Sequence, residues 1–242
     1  MKKILVPTLI AAVISPLATV AQAAEAESTL AFNAGVVSDY RYRGISQSRL
    51  EPALQGGVDY TDKSGFYVGA WGSTIKWIRD LNGDASVELD LYGGYKGAVG
   101  DVSYDVGFLR YQYPRNYLSP NANTNEVYGA VTYGMFTAKY SHAISNLFGI
   151  PDSKNSAYLD LSATFDLGDG YSLVPHVGYQ KVKNNDPASY TDYSLTLAKD
   201  LGNGLSLTGA VVGTDADKNV YYTPANKFTG KTGVVVGLKY SF

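Results

Sequence analysis

The stretch that decides the fold is SVELDLYGGYK, residues 86–96, in which apolar and polar residues alternate. Every second residue from Val87 to Tyr95 is apolar or glycine, and Glu88 and Asp90 fall between them. A helix would distribute these charges around its circumference, whereas a β-strand places them on one face. The stretch therefore predicts a strand with one apolar face and one polar face.

The same alternation recurs along the chain, for example in AYLDLSATFDL (157–167) and KTGVVVGLKYSF (231–242). It predicts twelve strands, near residues 30–42, 52–61, 65–74, 86–96, 102–113, 125–133, 135–142, 156–167, 171–182, 190–200, 205–214 and 231–242. Ten or fourteen strands are the alternatives, because the segments around residue 134 and Trp77 can be divided in more than one way.

The connections between these segments alternate between short and long. The short ones are 62–64, 97–101, 134, 168–170 and 202–204, and the long ones are 43–51, 75–85, 114–124, 143–155, 183–189 and 215–230. Outer-membrane barrels combine tight periplasmic turns with longer extracellular loops in this way. The pattern predicts an all-β protein, a transmembrane antiparallel β-barrel of twelve strands with both termini periplasmic.

The residues that precede this pattern are typical of an exported protein. Residues 1–23 begin with two lysines, continue with an apolar run and end in Ala21-Gln22-Ala23, an A-x-A cleavage site. Two prolines interrupt the apolar run and argue against a membrane helix. We therefore expect a signal peptide over 1–23 and a barrel over 24–242.

Composition excludes several classes of protein. Loss of Lys2 and Lys3 changes 20 basic residues to 18 against 22 acidic ones, a net charge of −4, which argues against nucleic-acid binding. The chain has no cysteine, so disulfides and thiolate metal sites are excluded. Beyond the signal, no apolar run reaches the length of a membrane helix, and only a closed barrel could span a bilayer.

A soluble barrel with an apolar interior is the alternative, since the two-residue alternation alone does not show whether the apolar face lies inside or outside the barrel. Export, the alternation of loop lengths and the C-terminal aromatic strand favour the membrane. The last residue, Phe242, ends that strand in the way that outer-membrane assembly machinery recognises. Outer-membrane lipids and the barrel-assembly machinery are therefore the expected partners.

The segment DYRYRGISQS, residues 39–48, places two arginines among tyrosines. If the first strand runs to residue 42, Tyr40 and Tyr42 share the face of Leu30 and Phe32, and both tyrosines join an aromatic girdle in contact with lipid. Lys or Arg at the lipid midplane would cost about 2–4 kcal/mol, so the charged face must point inward. The predicted pore-lining residues are Asp39, Arg41, Arg43, Glu88, Asp90, Asp105, Lys139 and Asp160.

The stretch YRYRGISQSRLEPALQGGVDYTDKSGFYVGAWGS, residues 40–73, resembles the TorF-type porin family of proteobacteria, as do VELDLYGGYKG and SYDVGFLRYQYP. With the signal and the terminal strand, the resemblance covers nearly the whole chain. It implies an outer-membrane porin, and it supplies no substrate and no catalytic residues. The family's pattern maps onto residues 43–48 and onto Gln55, Gly56, Gly57 and Tyr60.

These observations predict a porin-like channel in the bacterial outer membrane, for passive diffusion of small hydrophilic solutes or ions. We expect no cofactor, no metal, no catalysis and no nucleic-acid partner. One alternative is a lipid hydrolase using His142, because Ser141 and Ser145 are close in sequence and a serine–histidine pair can cleave esters. Another is a closed barrel, structural or adhesive, whose lumen is sealed by internal ion pairs. His176 is expected to face the lumen.

Overall fold

The computed structural model describes residues 28–242, so the signal peptide expected over 1–23 lies outside the described residues. The strands are β1 (Thr29–Val37), β2 (Arg41–Tyr42), β3 (Ile45–Ser46), β4 (Ala53–Thr61), β5 (Phe66–Thr74), β6 (Val87–Val99), β7 (Val102–Gln112), β8 (Thr124–Tyr133), β9 (Phe136–Ala143), β10 (Ala157–Ala163), β11 (Phe165–Gly168), β12 (Tyr171–Lys181), β13 (Tyr190–Gly202), β14 (Leu205–Thr214) and β15 (Gly233–Ser241). A one-turn helix, α1 (Trp77–Asp80), and a 3-10 turn (Asp186–Ala188) lie in the connections.

The strands form a closed antiparallel barrel of twelve strands, as the alternation predicts. β10 and β11 are two parts of one wall strand, interrupted at Thr164. β2 and β3 form a separate two-stranded hairpin that is not part of the wall. β1 pairs with both β4 and β15, so that Ala34 lies opposite Gly56 on one side and Tyr240 on the other. Closure leaves no unpaired wall edge, because every wall strand has two neighbours.

The two faces of the wall have opposite character. Outward side chains are apolar and exposed, with Leu54 at 65% and Val234 at 71% exposure, whereas the inward Glu88 is 1% exposed. This distribution is the reverse of a soluble protein, in which large apolar side chains are buried. It is the distribution that a bilayer requires of a barrel.

The two rims of the barrel differ in the length of their connections. Tight turns close the end that carries Thr61, and much longer segments connect the strands at the opposite end. We call these the turn end and the loop end. Outward aromatic side chains cluster at the turn end, among them Phe66, Tyr133 and Phe136. Among residues 28–242, no helix has the length and apolarity needed to cross a membrane.

The predicted first strand, 30–42, is wrong beyond Val37. β1 ends there, and the backbone of Ser38 makes a last hydrogen bond to the Val236 carbonyl at 2.8 Å. The Ser38 hydroxyl then accepts a hydrogen bond from the Val236 amide at 2.9 Å. Because the Ser38 hydroxyl, and not a further backbone carbonyl, accepts the hydrogen bond from the Val236 amide, the backbone is free to leave the wall. It then turns into the lumen.

Candidate functional site

The segment that enters the lumen is a hairpin made by β2 and β3, which we call the lumen hairpin and define as residues 38–50. Arg41 lies opposite Ser46, and Tyr42 lies opposite Ile45. Arg43 and Gly44 form the turn, with φ of 46° and 77°. Two consecutive positive φ values are those of a type I′ turn, the connection that suits a two-residue hairpin.

The carboxylate of Asp39 organises the base of the lumen hairpin. It forms an ion pair with Arg41 and accepts hydrogen bonds from the hydroxyls of Ser46 at 2.5 Å and Ser48 at 3.2 Å. The Ser48 hydroxyl also accepts a hydrogen bond from the Tyr40 amide at 2.9 Å. All of these groups are buried, and their mutual hydrogen bonds satisfy polar atoms that water does not reach.

At the tip of the lumen hairpin, Arg43 joins two distant parts of the wall. Its guanidinium donates to both carboxylate oxygens of Glu126 on β8, at 2.7 and 3.0 Å, and to Gln180 Oε1 on β12 at 2.6 Å. It also lies 4.8 Å from the ring centre of Tyr42 and 4.3 Å from that of Tyr158. A charge-assisted hydrogen bond to a carboxylate, flanked by aromatic rings, is a favourable environment for a buried arginine.

Other loops hold the lumen hairpin from outside. Arg41 donates to the carbonyls of Thr229 and Lys231, both at 3.1 Å, and the Lys76 amide donates to the Gln47 carbonyl at 2.8 Å. Nearer to solvent, ion pairs join Arg49 to Asp80 and Lys76 to Glu51. The hydrogen bond from Lys76 lowers the pKa of the Glu51 carboxyl. The hairpin is therefore attached to two neighbouring loops as well as to the wall.

The lipid-facing positions expected for Tyr40 and Tyr42 are wrong, because both side chains lie inside the barrel. Tyr40 is 2% exposed, and its hydroxyl donates to Glu88 at 2.6 Å. Tyr42 is hydrogen-bonded to Tyr111. The alternation of residues continues after Val37, but the backbone has left the wall, and period two does not distinguish a wall strand from a hairpin beside it. Outward tyrosines near the loop end are instead Tyr140, Tyr179 and Tyr193.

The eight residues predicted to line a pore fall into two groups. Asp39, Arg41 and Arg43 belong to the lumen hairpin and not to the barrel wall. The other five lie on wall strands and on the inward face, namely Glu88, Asp90, Asp105, Lys139 and Asp160. The structure thus places the first group in the hairpin inside the lumen, whereas the sequence predicted these residues on a wall strand.

Most of the inward wall charges have partners. Asp105 accepts a hydrogen bond from the Tyr67 hydroxyl at 2.6 Å, and Asp160 lies 3.2 Å from His176 Nε2. The ammonium of Lys139 lies 4.2 Å from the ring centre of Tyr128. His176 faces the lumen as expected, and its Nδ1 is 3.6 Å from a carboxylate oxygen of Asp192. Within residues 28–242, no group of acidic, histidine or cysteine side chains could hold a metal ion.

The lumen hairpin separates two spaces. On its turn side lies an inner cavity of about 170 Å³, bordered by the hairpin at Tyr40 and Tyr42 and by wall residues such as Asp90 and Lys239. On its loop side lies an outer vestibule of about 230 Å³, bordered by the hairpin at Tyr42 and Ile45 and by other loops. Tyr42 borders both spaces, so the partition between them is one side chain thick at this point.

The inner cavity is lined by aromatic side chains that sequence reasoning did not assign to it. Trp71 packs edge-on against Tyr40, with ring centres 5.5 Å apart, and the Tyr92 hydroxyl donates to Asp59 at 2.6 Å. Each of these wall residues occupies a position on the polar face of an alternating segment. That position is the signal that could have identified them as inward.

His142 does not form the serine pair that a hydrolase would need. It lies on β9, where its ring nitrogens are 3.3 Å from the Tyr140 hydroxyl and 3.2 Å from Asn155 Oδ1. The Ser145 hydroxyl instead bonds the backbone of Asn125 at 2.9 Å. A general base must lie within hydrogen-bond reach of its nucleophile, and here the histidine contacts other groups.

Comparisons with known proteins agree with this architecture. The model of a family described as a bacterial protein of unknown function (Gcw_chp) matches residues 21–242. The comparison with curated proteins found no match. Among solved structures, the chain is similar to the KdgM porin, with a TM-score of 0.57 and 10% identity over 89% of this chain and 99% of that one. It is also similar to the NanC porin, with a TM-score of 0.52 and 11% identity over 88% and 99%.

Proposed function

The chain belongs to the bacterial family of unknown function Gcw_chp, and from this starting point we propose that it is a porin-like channel closed by its lumen hairpin. The observation that carries the proposal is the position of residues 38–50, between an outer vestibule and an inner cavity in the same barrel. The hairpin occupies the path that a solute would follow. Passage of small hydrophilic solutes or ions then requires the hairpin to move.

We propose the bacterial outer membrane as the location of the barrel. Its apolar outer face supports this, as do the tight turns at one end and the long connections at the other. The loop end then faces the exterior and the turn end faces the periplasm. The resemblance of residues 40–73 to TorF-type porins supports the same location.

Assembly into that membrane would use the last strand. Phe242 exchanges backbone hydrogen bonds with Phe32, at 2.8 and 3.0 Å, and its ring stacks on Phe32 and Tyr240. The terminal residue is therefore part of the seam that closes the barrel. We propose that the assembly machinery engages this strand before β1 pairs with it.

The attachment of the lumen hairpin suits a movable element better than a permanent one. Its own ladder contains only two residue pairs, and beyond Ser38 it takes no part in the ladder of the wall. Side chains such as Arg43, together with backbone contacts to two loops, hold it in position. The wall remains fully paired if these bonds break, so the barrel can keep its shape while the lumen opens.

The experiment that tests the function compares conductance with and without the hairpin. Residues 40–47 are replaced by a glycine–serine linker, and the refolded protein is studied in planar bilayers. We expect small or infrequent current steps from the unaltered protein and larger, persistent steps from the variant. The matched control replaces the exposed loop residues 217–219 in the same way and should behave like the unaltered protein.

A closed structural barrel is the competing function, and the same experiment separates the two. If the variant is folded, judged by its strand signal in circular dichroism and its shift on unheated gels, and still passes no current, the channel proposal is rejected. Internal bonds such as Arg43 to Glu126 would then serve to seal the lumen permanently. No covalent chemistry is required by either function.

A further inference from the structure

The carboxylate of Asp90 is the one inward wall charge predicted from the sequence whose partner does not appear among the described residues. Its Oδ1 atom is buried and accepts no hydrogen bond from residues 28–242. Asp90 also makes no salt bridge with any described lysine, arginine or histidine. An unpaired buried carboxylate is costly, so a native one calls for an explanation.

The surroundings of Asp90 add negative charge and supply no compensation. The charged groups that act most strongly on it are Glu88 and Glu126, both carboxylates. Glu126 is matched by Arg43, and Glu88 accepts a hydrogen bond from Tyr40. Since neither neighbour offers a donor to Asp90, its Oδ1 atom keeps an unused acceptor position toward the cavity.

The two lysines that also border the inner cavity, Lys139 and Lys239, form no salt bridge with Asp90. Lys139 lies over the Tyr128 ring and is influenced by Glu126, Asp105 and Asp160, whereas Lys239 is influenced by Asp59.

Asp90 borders the inner cavity together with six aromatic side chains, Tyr40, Tyr42, Trp71, Tyr92, Tyr111 and Tyr128. Several of their hydroxyls donate elsewhere, for example from Tyr92 to Asp59 and from Tyr40 to Glu88. Aromatic faces attract cations, and a carboxylate binds an ammonium group by charge-assisted hydrogen bonds. The cavity thus combines both elements of ammonium recognition, and a ligand of that kind would satisfy the free oxygen.

We propose that Asp90 and the rings around it form a binding site for small organic cations that carry an ammonium group. The inference rests on the proposed channel, because the inner cavity is part of its path. It identifies the class of solute that binds inside the channel. A neutral alcohol of the same shape would donate only an uncharged and therefore weaker hydrogen bond to Asp90, and an anionic solute would be repelled.

The test measures binding directly and does not depend on conductance. Trp71 borders the cavity, and the chain has only one other tryptophan, so Trp77→Phe leaves Trp71 as the single tryptophan, whose emission can be excited selectively over that of tyrosine. The probes are butylammonium, butanol and butyrate, which share their alkyl group and differ in charge. We expect butylammonium to change the Trp71 emission at concentrations about tenfold or more below those needed for butanol. Butyrate should have no effect.

Two variants of the fluorescent protein assign the effect to one carboxylate. Asp90→Asn should weaken butylammonium binding by about tenfold or more and leave butanol binding unchanged. The matched control, Asp59→Asn, alters a carboxylate in the same cavity that already accepts a hydrogen bond from Tyr92, so the effect should be much smaller. If Asp90→Asn does not fold, the ranking of the three probes by affinity for the Trp77→Phe protein, which retains Asp90, still tests the proposal.

Equal binding of butylammonium and butanol would overturn the inference, as would an equal loss in the two variants. Failure of the channel itself would look different. In that case butylammonium would bind through Asp90, and the protein without residues 40–47 would carry no current. Current through that variant together with charge-independent probe binding would reject the cation site and retain the channel.

Discussion

At the scale of single residues, the interior depends on charges that are satisfied by groups far away in the sequence. Arg43 is separated by 83 residues from Glu126 and by 137 from Gln180, yet all three meet inside the barrel near its loop end. Such a contact closes the lumen and also holds together strands that are not neighbours. Removal of one partner leaves a buried charge without compensation, which is costly in a medium of low dielectric constant.

Arg43→Met is expected to release the tip of the lumen hairpin. Loss of the guanidinium leaves Glu126 buried and unpaired, so the folded protein should lose about 3–5 kcal/mol of stability. The hairpin should then leave the lumen more often, and single-channel recordings should show more frequent opening. Unchanged gating in a folded Arg43→Met protein would contradict this role for the side chain.

The double variant Arg43→Met, Glu126→Gln provides the control for stability. It removes both charges, so much of the lost stability should return, as urea unfolding in detergent would measure. Closure should not return, because the bridge between the hairpin and the wall is still absent. Arg43→Lys should have a stability and an opening frequency between those of the unaltered protein and Arg43→Met, since lysine keeps the charge but lacks the second nitrogen that binds Gln180 while the first binds Glu126.

At the scale of elements, the turn of the lumen hairpin is determined by its own residues, although the hairpin packs against the wall as tightly as part of a protein core. Its turn requires two positive φ values, and Gly44 adopts the second at 77°. A Cβ atom on Gly44 would lie 2.4 Å from Thr214 Cγ2 and 2.7 Å from Asp192 Cβ. The turn therefore touches the wall so closely that only glycine fits.

Gly44→Ala should displace the hairpin without a change of charge. The methyl group collides with the wall, and a left-handed conformation adds roughly 1 kcal/mol of strain for alanine. We expect more frequent channel openings in planar bilayers. The matched control is Gly209→Ala on β14, where a Cβ would have no atom within 4 Å. Identical recordings from the two variants would argue against contact between the hairpin tip and the wall.

At the scale of the whole molecule, the barrel separates an apolar exterior from a charged interior with a wall one strand thick. Neighbouring residues on a strand therefore experience opposite environments. On β14, Val211 points outward with 46% of its surface exposed, while Thr208 borders the inner cavity. This alternation is what makes the proposed membrane location testable by substitution.

Val211→Arg should destabilise the barrel in lipid bilayers by about 2–4 kcal/mol, because its charge would enter the hydrocarbon. Thr208→Arg places the same side chain inside and should change conductance more than stability. Urea unfolding in lipid vesicles measures the first effect, and bilayer recordings measure the second. Equal loss of stability for the two would mean that Val211 does not meet lipid.

The wall of this barrel follows from local patterns in the sequence. Alternation of residue type gives each strand its two faces, and that information is local, so twelve strands and the inward orientation of Glu88, Asp105 and Asp160 could be predicted. Wall strands must repeat with period two over many residues because one face meets an apolar phase. Nothing further along the chain is needed to interpret such a segment.

The contents of the lumen, in contrast, depend on contacts between distant parts of the chain. DYRYRGISQS alternates as a wall strand does, and its departure from the wall depends on partners such as Glu126, Gln180 and Thr229 that lie far away in the sequence. The free oxygen of Asp90 is likewise a property of its neighbours, which are two carboxylates and rings whose hydroxyls bond elsewhere. Local patterns set the direction of a side chain, whereas the groups it meets depend on closure of the barrel.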